Sequence, residues 1–142
     1  MSRYVPEPTY EISFLFRRIL VPVDGSANSF RALEFALDIA KRYGSKLTVI
    51  HVKPKGSSAA ENPLDNARKL TEQYGLAADF KLIEIDPEES SIPKAIIDEI
   101  NSGNYDMVVL GARGKSLSPE INIGSVALSV TLNSTITVVI VR

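Results

Sequence analysis

Residues 17–26, RRILVPVDGS, decide the fold. Arg17–Val23 is an aliphatic run without polar alternation, the pattern of a strand buried on both faces. Asp24-Gly25-Ser26 then supplies a turn and a helix start. From Ser26 to Tyr43 the apolar residues Phe30, Leu33, Leu37 and Ala40 recur at helical spacing, flanked by Ala36 and Tyr43. Gly44 stands where a left-handed helix stop is wanted.

The same alternation continues along the chain. Lys46–Val52, KLTVIHV, predicts a second strand, and Pro54–Ala60 a short Pro-, Gly- and Ser-rich loop. Asn62-Pro63 predicts an N-cap with proline at the first helical position, ahead of a stripe of Leu64, Ala67, Leu70, Thr71 and Tyr74 that Gly75 ends. Asp79–Ile85 predicts a third strand. Pro93–Asn101 predicts a short helix with Ile96, Ile97 and Ile100 on its apolar face and Gly103 as its stop. Met107–Leu110 predicts a fourth strand, Gly111–Ile123 a long loop, Ser125–Asn133 a fourth helix and Thr137–Val141 a fifth strand. Strands alternating with helices, the strands apolar throughout, imply an α/β fold: an open parallel five-stranded sheet with helices on both faces. Residues 17–142 read as one domain without internal repeats. Residues 1–16 read as an N-terminal arm, in which Pro6 and Pro8 favour extended chain and Tyr10–Phe16 is apolar enough to bury itself.

Composition narrows the function. A chain of 142 residues is long enough for one α/β domain with its own core. With 44% apolar and 23% charged residues it has a globular rather than a disordered balance. A net charge of −1 lacks the basic footprint of a nucleic-acid binder or a membrane-surface protein. The absence of cysteine excludes disulfides, thiolate metal sites and cysteine nucleophiles, and fits a cytoplasmic location. The apolar runs are too short to span a bilayer, and the N-terminus shows no signal-peptide pattern. A single histidine, His51, rules out a metal site built on histidines and is expected to pack in or beside the sheet.

In an open α/β sheet, ligands bind beyond the carboxyl ends of the strands, where strand order reverses. Two such ends carry suitable chemistry. Asp24 follows the first strand, and Gly111 opens the loop after the fourth. If these strands are neighbours, both segments meet at one crevice. Gly111 is followed after two residues by Gly114, and Gly114 after nine by Gly124-Ser125. Glycines permit positive φ and close backbone approach. A helix beginning at Gly124-Ser125 would offer unpaired N–H groups to phosphate, with Arg113 and Lys115 as possible charges. A carboxylate would repel phosphate, so Asp24 suits ribose hydroxyls or an adenine amine, besides the common alternative of capping the first helix. Main-chain groups near Val23 and Val52 are placed to read a base edge. Gly114-Lys115-Ser116 is no Walker A motif: Val109 stands where a further glycine is required, and Pro119 opposes a helix directly after it. Glu88-Glu89 reads as a solvated loop.

The opening ILVPVDGS, the second strand ending in His51-Val52, the segment DMVVLGARG at 106–114 and the glycine spacing closed by Gly124-Ser125 together resemble the universal stress protein family, over roughly Arg17 to Arg142. The glycine set is similar to that of its ATP-binding branch. The resemblance implies an adenine nucleotide alpha hydrolase-like fold with strand order 3-2-1-4-5, a homodimer, and ATP as cofactor, often with a divalent ion such as Mg2+ or Mn2+ between the phosphates. It implies contacts from Pro22, Val23, Asp24 and Val52 to base and ribose, Leu110 and Gly111 against the nucleotide, and Gly114, Gly124, Ser125 and Val126 around the phosphates, with no catalytic residue and no protein metal ligand. Thr137 departs from the proline that usually opens the last strand, and Ser90–Pro93 replaces a Gly-x-Pro-like entry to the third helix.

The leading expectation is an ATP-binding regulator or sensor in stress response, acting through a nucleotide-dependent loop and a dimer surface. The alternatives are a weak ATPase or phosphotransferase, for which no base and metal-ligand set assembles around the loop, and a nucleotide-free dimerisation module. An ATP pyrophosphatase-type domain wants a Ser-Gly-Gly-rich loop after the first strand, which Asp24-Gly25-Ser26-Ala27 is not. Val138, Val139, Ile140 and Val141 form an apolar edge strand that needs a partner. Two-fold pairing with the same strand of a second copy would supply one, as would cover by the Tyr10–Phe16 arm.

Overall fold

A computed structural model describes residues 15–57, 62–113 and 123–142. The elements run β1 (Arg18–Pro22), α1 (Ala27–Tyr43), β2 (Lys46–Pro54), α2 (Pro63–Gln73), β3 (Asp79–Ile85), α3 (Ile92–Gly103), β4 (Met107–Gly111), α4 (Ser125–Asn133) and β5 (Thr137–Val141). The strands form one sheet in the order β3-β2-β1-β4-β5, with every pairing parallel. The sequence-based order and element types are therefore shown. The reversal falls between β1 and β4, where Ile19 pairs with Met107 and Leu20 with Val108.

The strands are apolar throughout because each feeds two cores. Ile19, Val21, Val49 and Val109 pack with Leu33, Ala36 and Leu37 of α1 and with Leu64 and Ala67 of α2. Leu20, Ile50, Val108 and Leu110 point the other way, to Ile96 and Ile100 of α3 and Ala127 and Val130 of α4. Period-two alternation thus becomes a three-layer sandwich. Among the described residues no helix is long and apolar enough to cross a membrane.

Helix boundaries follow from capping chemistry. Ser26 Oγ accepts from Ser29 N–H at 3.2 Å, Asn62 Oδ1 from Leu64 N–H at 3.0 Å, and Ser91 Oγ from Lys94 N–H at 3.2 Å, so α1, α2 and α3 each begin on a side-chain cap. Ser91 is the local reason that Ser90–Pro93 can open α3. Gly44 and Gly75 take positive φ at helix ends, as expected. Gly103 does not: it lies inside α3, and Asn104 takes the left-handed position with φ 56°. A Cβ on Gly103 would overlap the Tyr105 ring, so this glycine makes room for tertiary packing.

Tyr105 belongs to a polar latch between α3 and the sheet. Its hydroxyl donates to Glu99 Oε2 at 2.7 Å, and Lys81 Nζ donates to Oε1 at 2.8 Å. Glu99 is buried, which pushes its carboxyl up, but the hydrogen bonds from Lys81 and Tyr105 and the Lys81 charge outweigh burial and hold it below the usual carboxylate range. Burial, followed by the bond to Glu99, pushes Tyr105 up to about 12.

At the N-terminal side, Phe16 packs on Tyr43 at the end of α1, with ring centroids 4.9 Å apart. Cover of β5 by the arm falls on residues 1–14, outside the described residues.

Candidate functional site

The carboxyl ends of β1, β2 and β4 open into a cleft of about 440 Å³. Pro22, Val23, Asp24, Val52, Leu110, Gly111, Arg113, Gly124, Ser125 and Val126 all line it. Gly114 lies outside the described residues. The cleft therefore brings the Asp24 segment and the start of α4 together, although about a hundred residues separate them in the chain. Its walls also include residues that sequence reasoning did not select: Ser29, Lys53, Ile92, Ile96 and Ala112. Ile96 had a sequence signal only as part of a helix's core stripe, and Ile92 fell outside the predicted helix, since α3 begins one residue earlier than expected. Which end of that stripe reaches the cleft depends on how α3 crosses the sheet.

Asp24 is held by its own turn. Its Oδ1 accepts from Ser26 N–H at 2.9 Å, and its N–H donates to Ser29 Oγ at 3.3 Å. The cap of α1 is Ser26 and not Asp24, so the capping alternative for Asp24 is corrected. Gly25 takes φ 86°, which gives the turn its shape. Among the described residues no group donates to Asp24 Oδ2.

The backbone of β1 is more occupied than expected. Val23 N–H donates to Ile50 C=O at 2.8 Å, and His51 Nδ1 lies 2.8 Å from Val23 C=O. The Val23 amide thus completes the sheet, while Val23 itself still lines the cleft. With Val23 C=O as acceptor, His51 carries its proton on Nδ1 and steadies the end of β1. Val52 differs. Ile50 turns its carbonyl towards β1, so by strand alternation Val52 directs its N–H and C=O the same way, beyond the point where β1 has ended.

The glycines have reasons other than positive φ. Gly124 has φ −77°, and Gly111 is absent from the positive-φ residues. A Cβ on Gly111 would stand 2.7 Å from the Asn28 carbonyl carbon, so this glycine lets α1 approach β4. Gly124 is the N-cap of α4 and provides no side-chain cap. Its own N–H donates to Ala112 C=O at 2.6 Å, and the helical ladder begins with Leu128 N–H to Gly124 C=O at 2.9 Å. The N–H groups of Ser125, Val126 and Ala127 therefore lie in a first turn that neither the helix nor a cap satisfies. All three of these residues line the cleft.

This donor set fits an anionic ligand: amides at a helix start that have no partner among the described residues, the Ser125 hydroxyl and the nearby Arg113. A carboxylate at the other side and apolar walls from Val52, Leu110, Ile92 and Ile96 fit a ligand with a hydroxylated, partly apolar remainder. No group of three His, Asp or Glu side chains among the described residues is placed to hold a metal ion.

Comparison with known proteins agrees with this architecture. The model of the universal stress protein family matches residues 15–142. A universal stress protein of Methanocaldococcus jannaschii is 25% identical over 146 residues, covering 90% of this chain and 83% of that protein. A universal stress protein solved in complex with cAMP superposes with TM-score 0.73 at 23% identity, covering 89% of this chain and 97% of the other. One from Archaeoglobus fulgidus in complex with dAMP superposes with TM-score 0.71 at 24% identity, covering 91% and 100%.

Proposed function

The chain belongs to the universal stress protein family, and from that premise we propose that it binds an adenine nucleotide, ATP foremost, in the cleft between β1 and β4 and acts as a sensor or regulator. One observation carries the reading. Among the helices of the described residues, α4 alone begins without a side-chain cap, and its first turn, whose N–H groups the helix itself leaves without partners, lines the same cleft as Asp24. Unpaired amides at that position are costly unless a ligand or water completes them.

Each part of the nucleotide has a matching surface. Ser125, Val126 and Ala127 would donate to phosphate oxygens, with Arg113 adding charge. Asp24 would accept from ribose hydroxyls, since it would repel phosphate. The outward main chain of Val52 would read the base between apolar walls. Two relatives of the same fold were solved with cAMP and dAMP, which supports adenine recognition at the family level. With no acidic cluster among the described residues, a divalent ion would arrive as the phosphate chelate and not through a protein cage.

The chain would act as a homodimer through β5, which forms an outer edge of the sheet. Val138 and Ile140 pack towards one core, Val139 and Val141 towards the other, and all four keep part of their surface exposed. An apolar edge of this kind invites antiparallel pairing with a second copy. Occupancy of the cleft would then change a surface near the dimer edge, because the end of β4 bonds both to β5 and to the start of α4.

A thermal-shift series with ATP, ADP, AMP, adenosine and GTP, with and without Mg2+, tests this. Ligand at a hundredfold excess over its dissociation constant stabilises the fold by about 2.7 kcal/mol. Adenine nucleotides are expected to raise Tm, with ATP above adenosine and GTP weaker. No shift with any of them at millimolar concentration would sink the proposal.

A further inference from the structure

We infer that Asn28 is a positioning residue for the anionic end of the ligand, an inference that rests on the nucleotide reading above. Asn28 is the second residue of α1. Its side chain does not cap that helix, since Ser26 does. It reaches across the fold instead: Oδ1 accepts from Arg113 N–H at 3.3 Å, a bond that spans 85 residues of sequence. Its main chain occupies the space that the missing Cβ of Gly111 leaves open, 2.7 Å from where that atom would stand.

The segment Gly111–Arg113 is consequently gripped from three sides. Ala112 N–H donates to Val141 C=O at 2.7 Å, and Ala112 C=O accepts from Gly124 N–H at 2.6 Å. Both bonds join main chain to main chain and do not depend on residue type. Of these three bonds between described residues, the one from Asn28 comes from a side chain, so its residue identity bears on where Arg113 leaves the sheet. Ala112 carries that placement one residue further, to Gly124 and the unsatisfied turn of α4.

The neighbouring residue does the complementary task. Ser29 is buried, and its Oγ accepts from Asp24 N–H at 3.3 Å while donating to Ser26 C=O at 2.9 Å. Two consecutive residues of α1 thus support opposite sides of the cleft. Ser29 holds the carboxylate side and Asn28 the phosphate side. Asn28 stands in the first turn of α1, where its side chain is spent on this long-range bond and not on the helix.

The test is isothermal titration of ATP and of adenosine into wild-type protein, Asn28→Ala and Asn28→Leu. Loss of one net hydrogen bond corresponds to about a three- to tenfold weakening for ATP, with adenosine held within about twofold. Hydrogen exchange in the absence of ligand is the second readout. The Arg113 amide should exchange faster in both variants, while the Val23 amide, bonded to Ile50, keeps its protection. Equal weakening of both ligands, or unchanged ATP affinity with a freely exchanging Arg113 amide, would overturn the assignment. Wild-type protein that binds neither ligand overturns the nucleotide reading itself, and this inference with it.

Discussion

Gly124→Asp should stabilise the free protein and weaken its hold on ATP, two effects of opposite sign from one atom group. Gly124 has φ −77° and ψ 165°, a conformation open to any residue and typical of an N-cap. An aspartate there would accept from the first-turn N–H groups that the native helix leaves unpaired. The gain over glycine as a cap is a few tenths of a kcal/mol, and a carboxylate at a helix start adds about 0.3–1 kcal/mol. Together they amount to about 0.5–1.5 kcal/mol, or an increase in Tm of about 1–5 °C for a chain of this size. The same carboxylate would then occupy the donors that the proposed nucleotide reading assigns to phosphate. Losing one charge-assisted bond costs about 1.5–3 kcal/mol, a fall in ATP affinity of roughly ten- to a hundredfold. Thermal denaturation without ligand, followed by titration with ATP and with adenosine, separates the two effects. Adenosine affinity should change little. If ATP affinity survives the substitution while the helix gains its cap, phosphate does not use this turn and the reasoning fails.

Three further outcomes are expected. Gly111→Ala would force a Cβ to within 2.7 Å of the Asn28 backbone, costing about 1–3 kcal/mol as overpacking; an unchanged urea midpoint would show that α1 yields freely there. Glu99→Gln would lose about 1 kcal/mol at pH 7 by removing the charge that Lys81 pairs. Because the Glu99 carboxyl is held below its ordinary value, its contribution is present above the unfolded-state value and is lost as pH falls through the folded one. The stability gap between variant and wild type should therefore shrink towards pH 3, and a pH-independent gap would contradict the latch. Val141 directs its carbonyl to Ala112, so alternation along β5 points the N–H groups of Val138 and Ile140 away from β4. Val138→Pro removes one outward donor while sparing the β4 ladder. Sedimentation should find monomers, and persistent dimers would place the interface elsewhere.

The fold was legible because each strand is flanked by breakers and is apolar on both faces. Asp79–Ile85 and Thr137–Val141 match their observed limits, and so does the helix Ser125–Asn133. Differences arose where a residue's reason lies in packing or turn geometry that residue type alone does not display. Gly103 looked like a helix stop, but Tyr105 packing claims it and Asn104 makes the turn. Gly111 lines the cleft, and the close approach of the α1 backbone is a further reason for a glycine there that the sequence does not display. Asp24 and Ser26 both suit an N-cap, and only the local geometry decides for Ser26. The site was legible as a set because strand ends at a topological reversal must converge. Asn28 and Ser29 carried no motif, since their partners, Arg113 and Asp24, are identified only by the fold.

The amides of Ser125, Val126 and Ala127 can be watched directly by NMR while ATP, and separately adenosine, is titrated into labelled protein. Convergence of a phosphate-binding helix start with a ribose-binding carboxylate predicts large downfield shifts of these three amides with ATP and small ones with adenosine, and perturbation near Asp24 with both. Amides of the α4 start that stay unmoved at saturating ATP, or shifts gathered on another surface, would contradict it.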